Sequence, residues 1–276
     1  KKNNKIFDSQ INVDISASIK IIEDAISNKV FPGAQIFISK DRKIIFNDGI
    51  GNLSYDNTSN KVNTETIYDV ASLTKVLATT PIVMKLVQKK KIGLNYPISD
   101  FYPEFSIKEK AKITIKHLLT HTSGLKPYVE YYKKDGFDSK DKIINDILNL
   151  ELDYTPGTKM VYSDLGMILL YDIIERTTNT SFEKLAQRYY YSPFKMNSTF
   201  FNPKNDKIDL IAPTENDVYF RNEVLKGVVH DENAFLLGGV SGHAGLFSTA
   251  QDIGNFSQML LNEGVFLGRR YLKKNI

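Results

Sequence analysis

The 276-residue chain has no cysteine, so neither a disulfide framework nor a thiolate metal site can be built from it. No stretch approaches the roughly 18 consecutive apolar residues of a membrane span, which excludes a spanning helix. The opening residues KKNNKIFDSQ lack the apolar core of a signal peptide, so the chain is expected to be either cytoplasmic or a mature or excised piece. Absence of cysteine fits an exported protein. A Gly-x-Ser-x-Gly elbow is missing, which argues against an α/β-hydrolase, and phosphate-loop and dinucleotide fingerprints are missing too. The histidines His117, His121, His230 and His243 show no His-Glu-x-x-His spacing. Adjacent residues such as His230, Asp231 and Glu232 do not easily converge on one ion, so structural hydrogen bonding is the expected role, and no metal or cofactor is expected. Excess charge is small: 36 Lys and Arg against 32 Asp and Glu leave a net +4. The densest basic run, Lys89 to Lys91, reads as the solvated end of a helix, where cations suit the dipole, rather than as a nucleic-acid patch.

What is present is enough to build a core. Hydrophobic residues make up 42% of the chain, and its length fits one large domain or two interleaved lobes. Asp14 can cap a helix carrying Ile15, Ile19, Ile22 and Ile26, which Pro32-Gly33 ends. Two strand-like runs follow, Ala34 to Ser39 and Lys43 to Asn47, joined by a turn at Lys40 to Arg42. From Ile67 to Val70 a short extended run leads to Ser72 and an apolar helical segment, Leu73 to Lys90, in which Pro81 should cause a kink. Further on, Thr114 can cap Ile115 to Thr120, a charged stretch runs from Lys133 to Lys142, and Met160 to Tyr162 reads as extended. Asp164 to Thr177 has helical periodicity, Thr180 with Glu183 suggests a capping box, and Thr249 can cap Ala250 to Asn262. The pattern predicts an α+β protein, a single domain over residues 1–276, with a mixed lobe at about 10–70 and 240–276 and a helical lobe at about 71–239. The fifteen tyrosines include Tyr189, Tyr190 and Tyr191 in succession, which point around a helix and read as packing; an aromatic-lined glycan cleft is the other reading.

A serine followed three residues later by lysine on a helix puts both side chains on one face, close enough for the amine to take the hydroxyl proton. The spacing occurs five times, at Ser72, Ser123, Ser139, Ser181 and Ser192, so surroundings must choose. Only Ser72 enters an apolar helix, where Ala71, Leu73, Val76 and Leu77 would desolvate Lys75 and lower its affinity for a proton. A lysine so poised can act as a general base, a role worth roughly 10²- to 10⁴-fold in rate. The bland reading is a capping serine beside a surface lysine. A second feature, Tyr162-Ser163-Asp164, would hold a phenol and a hydroxyl at the corner where an extended segment meets a helix; taken alone, a buried tyrosine beside a capping serine is the commoner explanation.

Together these residues resemble a known family. Ala71-Ser72-Leu73-Thr74-Lys75, the run Leu118 to Leu125, and Pro156-Gly157 leading into Tyr162-Ser163-Asp164-Leu165-Gly166 follow one another as in class C β-lactamases, related esterases and low-molecular-mass penicillin-binding proteins. The likeness continues through Val229 to Ala234 and Gly242 to Ala250, covering roughly residues 10–276. In detail the chain is most similar to the serine-hydrolase domain that some bacteria join to a family 3 glycoside hydrolase. The resemblance implies a β-lactamase/transpeptidase-like fold, with an antiparallel sheet flanked by helices beside a mostly helical lobe. It implies a periplasmic, cell-envelope or secreted serine hydrolase of the D-alanyl peptide carboxypeptidase, β-lactamase or esterase type. Its substrate would be a small molecule or cell-wall peptide, with a fused or partnered glycoside hydrolase and no nucleic-acid partner. Ser72 would attack a carbonyl, Lys75 and Tyr162 would move protons, and Asp164 and His243 would contact substrate. Two departures stand out. Asp164 replaces the Asn that usually ends the second motif, and the third motif, Lys-Thr-Gly or His-Thr-Gly on a late strand, is not reached by Ile276. The chain is therefore expected to be truncated before its last strands. His243-Ala244-Gly245 fits a His-x-Gly version only superficially. The rival reading is a non-catalytic relative that keeps the fold as a binding or scaffold module.

Overall fold

The structure is a computed structural model that describes residues 5–56 and 58–276. In chain order its α-helices are α1 (Ser16–Ser27), α2 (Thr80–Gln88), α3 (Ile115–Leu119), α4 (Lys140–Asn149), α5 (Asp164–Thr178), α6 (Phe182–Ala186), α7 (Glu232–Leu236) and α8 (Ala250–Leu261). The strands used below are β1 (Ser9–Gln10), β2 (Gly33–Lys40), β3 (Lys43–Gly51), β4 (Tyr68–Asp69), β5 (Phe200–Phe201) and β6 (Leu246–Ser248). Two compact units share the chain, one of the described residues up to Asp69 with Tyr190–Gly227 and Phe247–Asn275, the other of Val70–Tyr189 and Val228–Leu246 with Ile276. Residues 190–227, expected in the helical lobe, fall with the mixed unit. The reason is packing: Tyr190 and Phe194 join Phe256 and Phe266 in one aromatic cluster, with ring centroids 4.6 to 6.0 Å apart along its Phe194 contacts.

The mixed unit is built on the hairpin of β2 and β3, whose two-residue turn places Asp41 and Arg42 at φ +50° and +61°, the twist that suits a tight hairpin. β1 adds to β3 in parallel, giving the order β1-β3-β2, with α1 packed on β3 and α8 on β2. The cap expected at Asp14 falls one residue later: Ile15 is the N-cap of α1 and has no side-chain cap, while Asp14 Oδ1 accepts Ser16 N–H at 2.9 Å from just outside the helix. Thr249 caps α8 by accepting from Asp252 N–H at 3.2 Å. A second small sheet has the order β4-β6-β5, and Ile67, Ile211 and Phe247 form a core cluster beside it.

The helical unit is centred on α5, whose residues Leu165, Ile168, Leu169, Ile173 and Ile174 are all fully buried. Apolar side chains at these positions, spread over almost three turns, require the helix to be enclosed, and packing against α3 and α4 encloses it. Helix α4 was not anticipated within the charged stretch; Ile143, Ile144, Ile147 and Leu148 form the apolar face that folds it, with Ser139 at its N-cap. The disturbance expected at Pro81 takes the form of a π-helical turn, Lys75–Thr79, immediately before α2, so that Thr80 N–H donates to the Lys75 carbonyl five residues back. Two local expectations need correction. Met160 to Tyr162 pairs with no strand and runs as an irregular segment. Ser181, not Thr180, is the N-cap of α6, because the Glu175 carboxylate reaches over to accept the Phe182 N–H at 2.7 Å and supplies the cap from a neighbouring helix. Tyr190 and Tyr191 are buried packing residues as expected.

Candidate active site

Ser72 sits where the chain leaves β4. Val70 N–H donates to the Leu246 carbonyl at 2.9 Å, and Leu73 N–H closes a turn on the Val70 carbonyl at 3.0 Å. Inside that turn Ala71 takes φ +45°, a left-handed conformation that costs a non-glycine residue on the order of 1 kcal/mol. Thr74, fully buried, clamps the turn by donating to the Ala71 carbonyl at 2.6 Å and accepting from Leu246 N–H at 3.2 Å. The result is an exposed Ser72 hydroxyl directly over a buried Lys75, which is 4% exposed.

Three oxygens gather around Lys75 Nζ, two of them as hydrogen-bond acceptors. Ser72 Oγ lies at 2.8 Å, the His243 carbonyl at 2.9 Å and Asp164 Oδ1 at 2.8 Å. The contact to Asp164 is Coulombic rather than an aligned hydrogen bond. The ring of Tyr162 adds a cation–π face, 4.8 Å from Nζ to its centroid. The burial foreseen for Lys75 is thus accompanied by a carboxylate facing the amine. Among the other Ser-x-x-Lys pairs, Lys126, Lys142, Lys184 and Lys195 are all solvent-facing, with Lys126 3.8 Å from Asp153 and Lys142 2.8 Å from Asp138. Only at Ser72 is the partner amine withdrawn from water.

The Tyr162-Ser163-Asp164 corner is held from two sides. Ser163, 2% exposed, accepts from Gly166 N–H at 3.3 Å to cap α5 and donates to the Lys126 carbonyl at 2.7 Å. His121 holds the other side: its Nδ1 accepts Ser163 N–H at 3.1 Å, its carbonyl accepts Val161 N–H at 2.8 Å, and its ring lies 4.5 Å from that of Tyr162. Burial, followed by the nearby Lys75 charge, holds the His121 imidazole below its ordinary range, in keeping with an Nδ1 that accepts. Tyr162 itself is 49% exposed, so the buried-tyrosine reading fails and its phenol faces the open side of the site.

A hydroxyl, a sequestered amine and a phenol gathered in this way can carry acyl transfer without a metal. Comparison with known proteins agrees with that chemistry: the family model described as Beta-lactamase matches residues 19–275. The chain belongs to the beta-lactamase family. It is 35% identical over 266 residues to a Bacillus subtilis protein named N-acetylmuramyl-L-alanine amidase, covering 86% of this chain and 60% of that one. It is 34% identical over 264 residues to an Escherichia coli protein named "Putative D-alanyl-D-alanine carboxypeptidase", covering 85% of this chain and 61% of that one. The chain thus spans about three-fifths of the length of these two relatives. Among solved structures, the octameric penicillin-binding protein homologue of Pyrococcus abyssi superposes with TM-score 0.76 at 23% identity, covering 95% of this chain and 59% of that one. The class C beta lactamase of Rhodobacter sphaeroides superposes with TM-score 0.74 at 18% identity, covering 93% and 69%. These likenesses establish the α+β β-lactamase/transpeptidase-like fold that the motifs implied.

In this beta-lactamase family member the structure brings together Ser72, Lys75, Tyr162 and Asp164. His243 is placed differently from the substrate-contacting role expected of it. Its ring is 1% exposed, enclosed between Ser241 Oγ at 2.8 Å and Asp231 Oδ1 at 2.7 Å, and what it offers the site is its main-chain carbonyl. A Cβ at neighbouring Gly242 would run into the Met167 carbonyl of α5, so the glycine-rich loop from Gly238 to Gly245 can approach that helix only because Gly242 has no side chain. His121 and Asp231 were legible as members of motifs and were expected only to make structural hydrogen bonds, because the sequence does not show that each lies within reach of the Ser72–Lys75 pair.

Proposed function

We propose that this chain is a serine hydrolase that acts through an acyl-serine intermediate on an amide or peptide bond, with Ser72 as nucleophile, Lys75 as its base and Tyr162 as a proton carrier. The observation that carries the reading is a single one: an exposed serine hydroxyl 2.8 Å from an amine buried beneath it. With Lys75 neutral, its lone pair takes the Ser72 proton while Oγ bonds to the substrate carbonyl carbon. The resulting oxyanion is met by the Ser72 N–H, one such donor being worth about 10²- to 10³-fold. The proton then passes to the leaving nitrogen, by way of the Tyr162 phenol, as the C–N bond breaks. Water attacks the ester that remains and restores Ser72.

The names of the two curated relatives point to bonds found in peptidoglycan, one beside N-acetylmuramyl-L-alanine and one within D-alanyl-D-alanine. We therefore place the substrate in the cell-wall peptides and the protein in the cell envelope. A partnered glycoside hydrolase is part of the proposal only as an implication of the resemblance. Incubation with a muramyl peptide, a D-alanyl-D-alanine peptide and a chromogenic cephalosporin, followed by mass spectrometry of products and protein, tests the reading. Release of L-alanyl or D-alanyl product with a transient mass increase on Ser72 is expected. Absence of both with every substrate would favour the non-catalytic module.

A further inference from the structure

The motif His230-Asp231-Glu232-Asn233 and the glycine-rich loop are not used by the chemistry above, yet they meet directly behind Lys75. Asp231, the N-cap of α7, accepts Ala234 N–H at 2.7 Å and pairs through Oδ1 with His243 Nε2 at 2.7 Å. The opposite ring nitrogen, Nδ1, shares a hydrogen bond with Ser241 Oγ at 2.8 Å. Carboxylate, imidazole and hydroxyl are thus connected in the order of a catalytic triad. Burial decides against that reading: Ser241 is 0% and His243 1% exposed, so no carbonyl can reach the hydroxyl. A buried imidazole held at both nitrogens instead fixes the peptide that carries it. That peptide's carbonyl is the one that accepts Lys75 Nζ, and the preceding carbonyl, of Gly242, is pinned by Thr79 Oγ1 at 2.6 Å from the same π-helical turn as Lys75.

Resting on the assignment of Lys75 as the base, we propose that Asp231 and His243 form a brace that positions this amine against Ser72. The carboxylate anchors the ring, the ring anchors its own main chain, and that carbonyl aims Nζ. Asp231 is a positioning residue with two levers, one mechanical and one electrostatic. Burial alone would raise its carboxyl, but the charge and hydrogen bond of His243, the Ala234 N–H and the charge of Lys75 outweigh it and hold it at about 2. It is therefore an anion throughout the working range. The groups facing Lys75 are Ser72, Asp164, Tyr162 and the His243 carbonyl in contact, with His121 and Asp231 acting at longer range.

The test measures the second-order rate of Ser72 labelling by a fluorophosphonate between pH 5 and 10, for the chain itself and for Asp231→Ala and Asp231→Asn. Asparagine keeps the helix cap and an oxygen to accept from His243, but not the charge. Asp231→Ala should lower the plateau rate about tenfold, equivalent to ~1.4 kcal/mol. Asp231→Asn should restore most of that plateau, because the oxygen that meets His243 remains. If Asp231→Ala does not fold, Asp231→Ser takes its place: a serine can still cap α7 but is too short to reach His243, and it should show the same loss. A wild-type rate in the folded variants that lack the contact to His243 would make the brace merely structural and overturn the proposal. Failure of the unmutated chain to label would instead refute the serine-hydrolase reading beneath it.

Discussion

Replacing Asp164 by Asn should destabilise the fold while leaving Ser72 open to acylation, because it removes a charged partner from the site but not the hydrogen bonds that aim the amine. Asp164 Oδ1 stands 2.8 Å from Lys75 Nζ, with the two side chains 18% and 5% exposed. Opposite charges about 4 Å apart attract by about 4 kcal/mol at an effective dielectric constant of about 20. The desolvation of both ions and the partial exposure of Asp164 consume much of that, so the variant should lose about 1–3 kcal/mol in urea unfolding at pH 7. Lys75 keeps Ser72 Oγ and the His243 carbonyl, so its position should hold and fluorophosphonate should still label Ser72. The assay is urea unfolding of parent and variant, paired with the fluorophosphonate rate at the same pH. Unfolding free energies that coincide within about 0.3 kcal/mol would show that the contact between Asp164 and Lys75 contributes nothing, and loss of labelling in a folded variant would show that the two hydrogen bonds do not suffice to place the amine.

Other expectations follow from the same contacts. Ser163→Ala removes both the cap of α5 and the bond to the Lys126 carbonyl from a site 2% exposed, and should cost about 1–2 kcal/mol in urea unfolding. A loss under a few tenths would mean the corner is held without it. In alkali, burial pushes Tyr68 and Tyr171 up to about 12 from an ordinary value of 10.0. Between those values the unfolded chain releases protons that the folded chain keeps. Their contribution is therefore intact below pH 10 and is lost as pH rises toward 12. Unfolding midpoints should drop between pH 9.5 and 11.5, with tyrosinate absorbance lagging behind that of a free tyrosine; constant midpoints would contradict the burial assigned to these phenols.

Local signals in the sequence specified much of the molecule, where the physics is itself local. The Thr249 cap, the β2–β3 hairpin and the buried face of α5 depend on neighbours within a few residues, and each lies where spacing placed it. The misses share a cause of the opposite kind. Thr180 loses its cap role to a glutamate on another helix, the Tyr190–Phe194 segment is claimed by aromatics some sixty residues later, and the last residues of a strongly charged run are drawn into α4 by the apolar face that follows them. At the site, the Ser72–Lys75 pair was readable because one helical turn joins the two residues. The ring of His243 was not, because its environment is set by Asp231 and Ser241 across a loop, and a histidine beside glycines looks the same whether its ring faces solvent or core.

The account depends most on whether a buried amine makes Ser72 reactive, and one labelling experiment addresses that directly. Intact-mass analysis after exposure to a fluorophosphonate should show one adduct per chain, mapped to the peptide containing Ser72. Ser72→Ala should show none, and Lys75→Ala should slow the adduct by about 10² or more. Stoichiometric labelling that survives in Ser72→Ala, or a Lys75→Ala variant that folds and reacts at the parent rate, would contradict it.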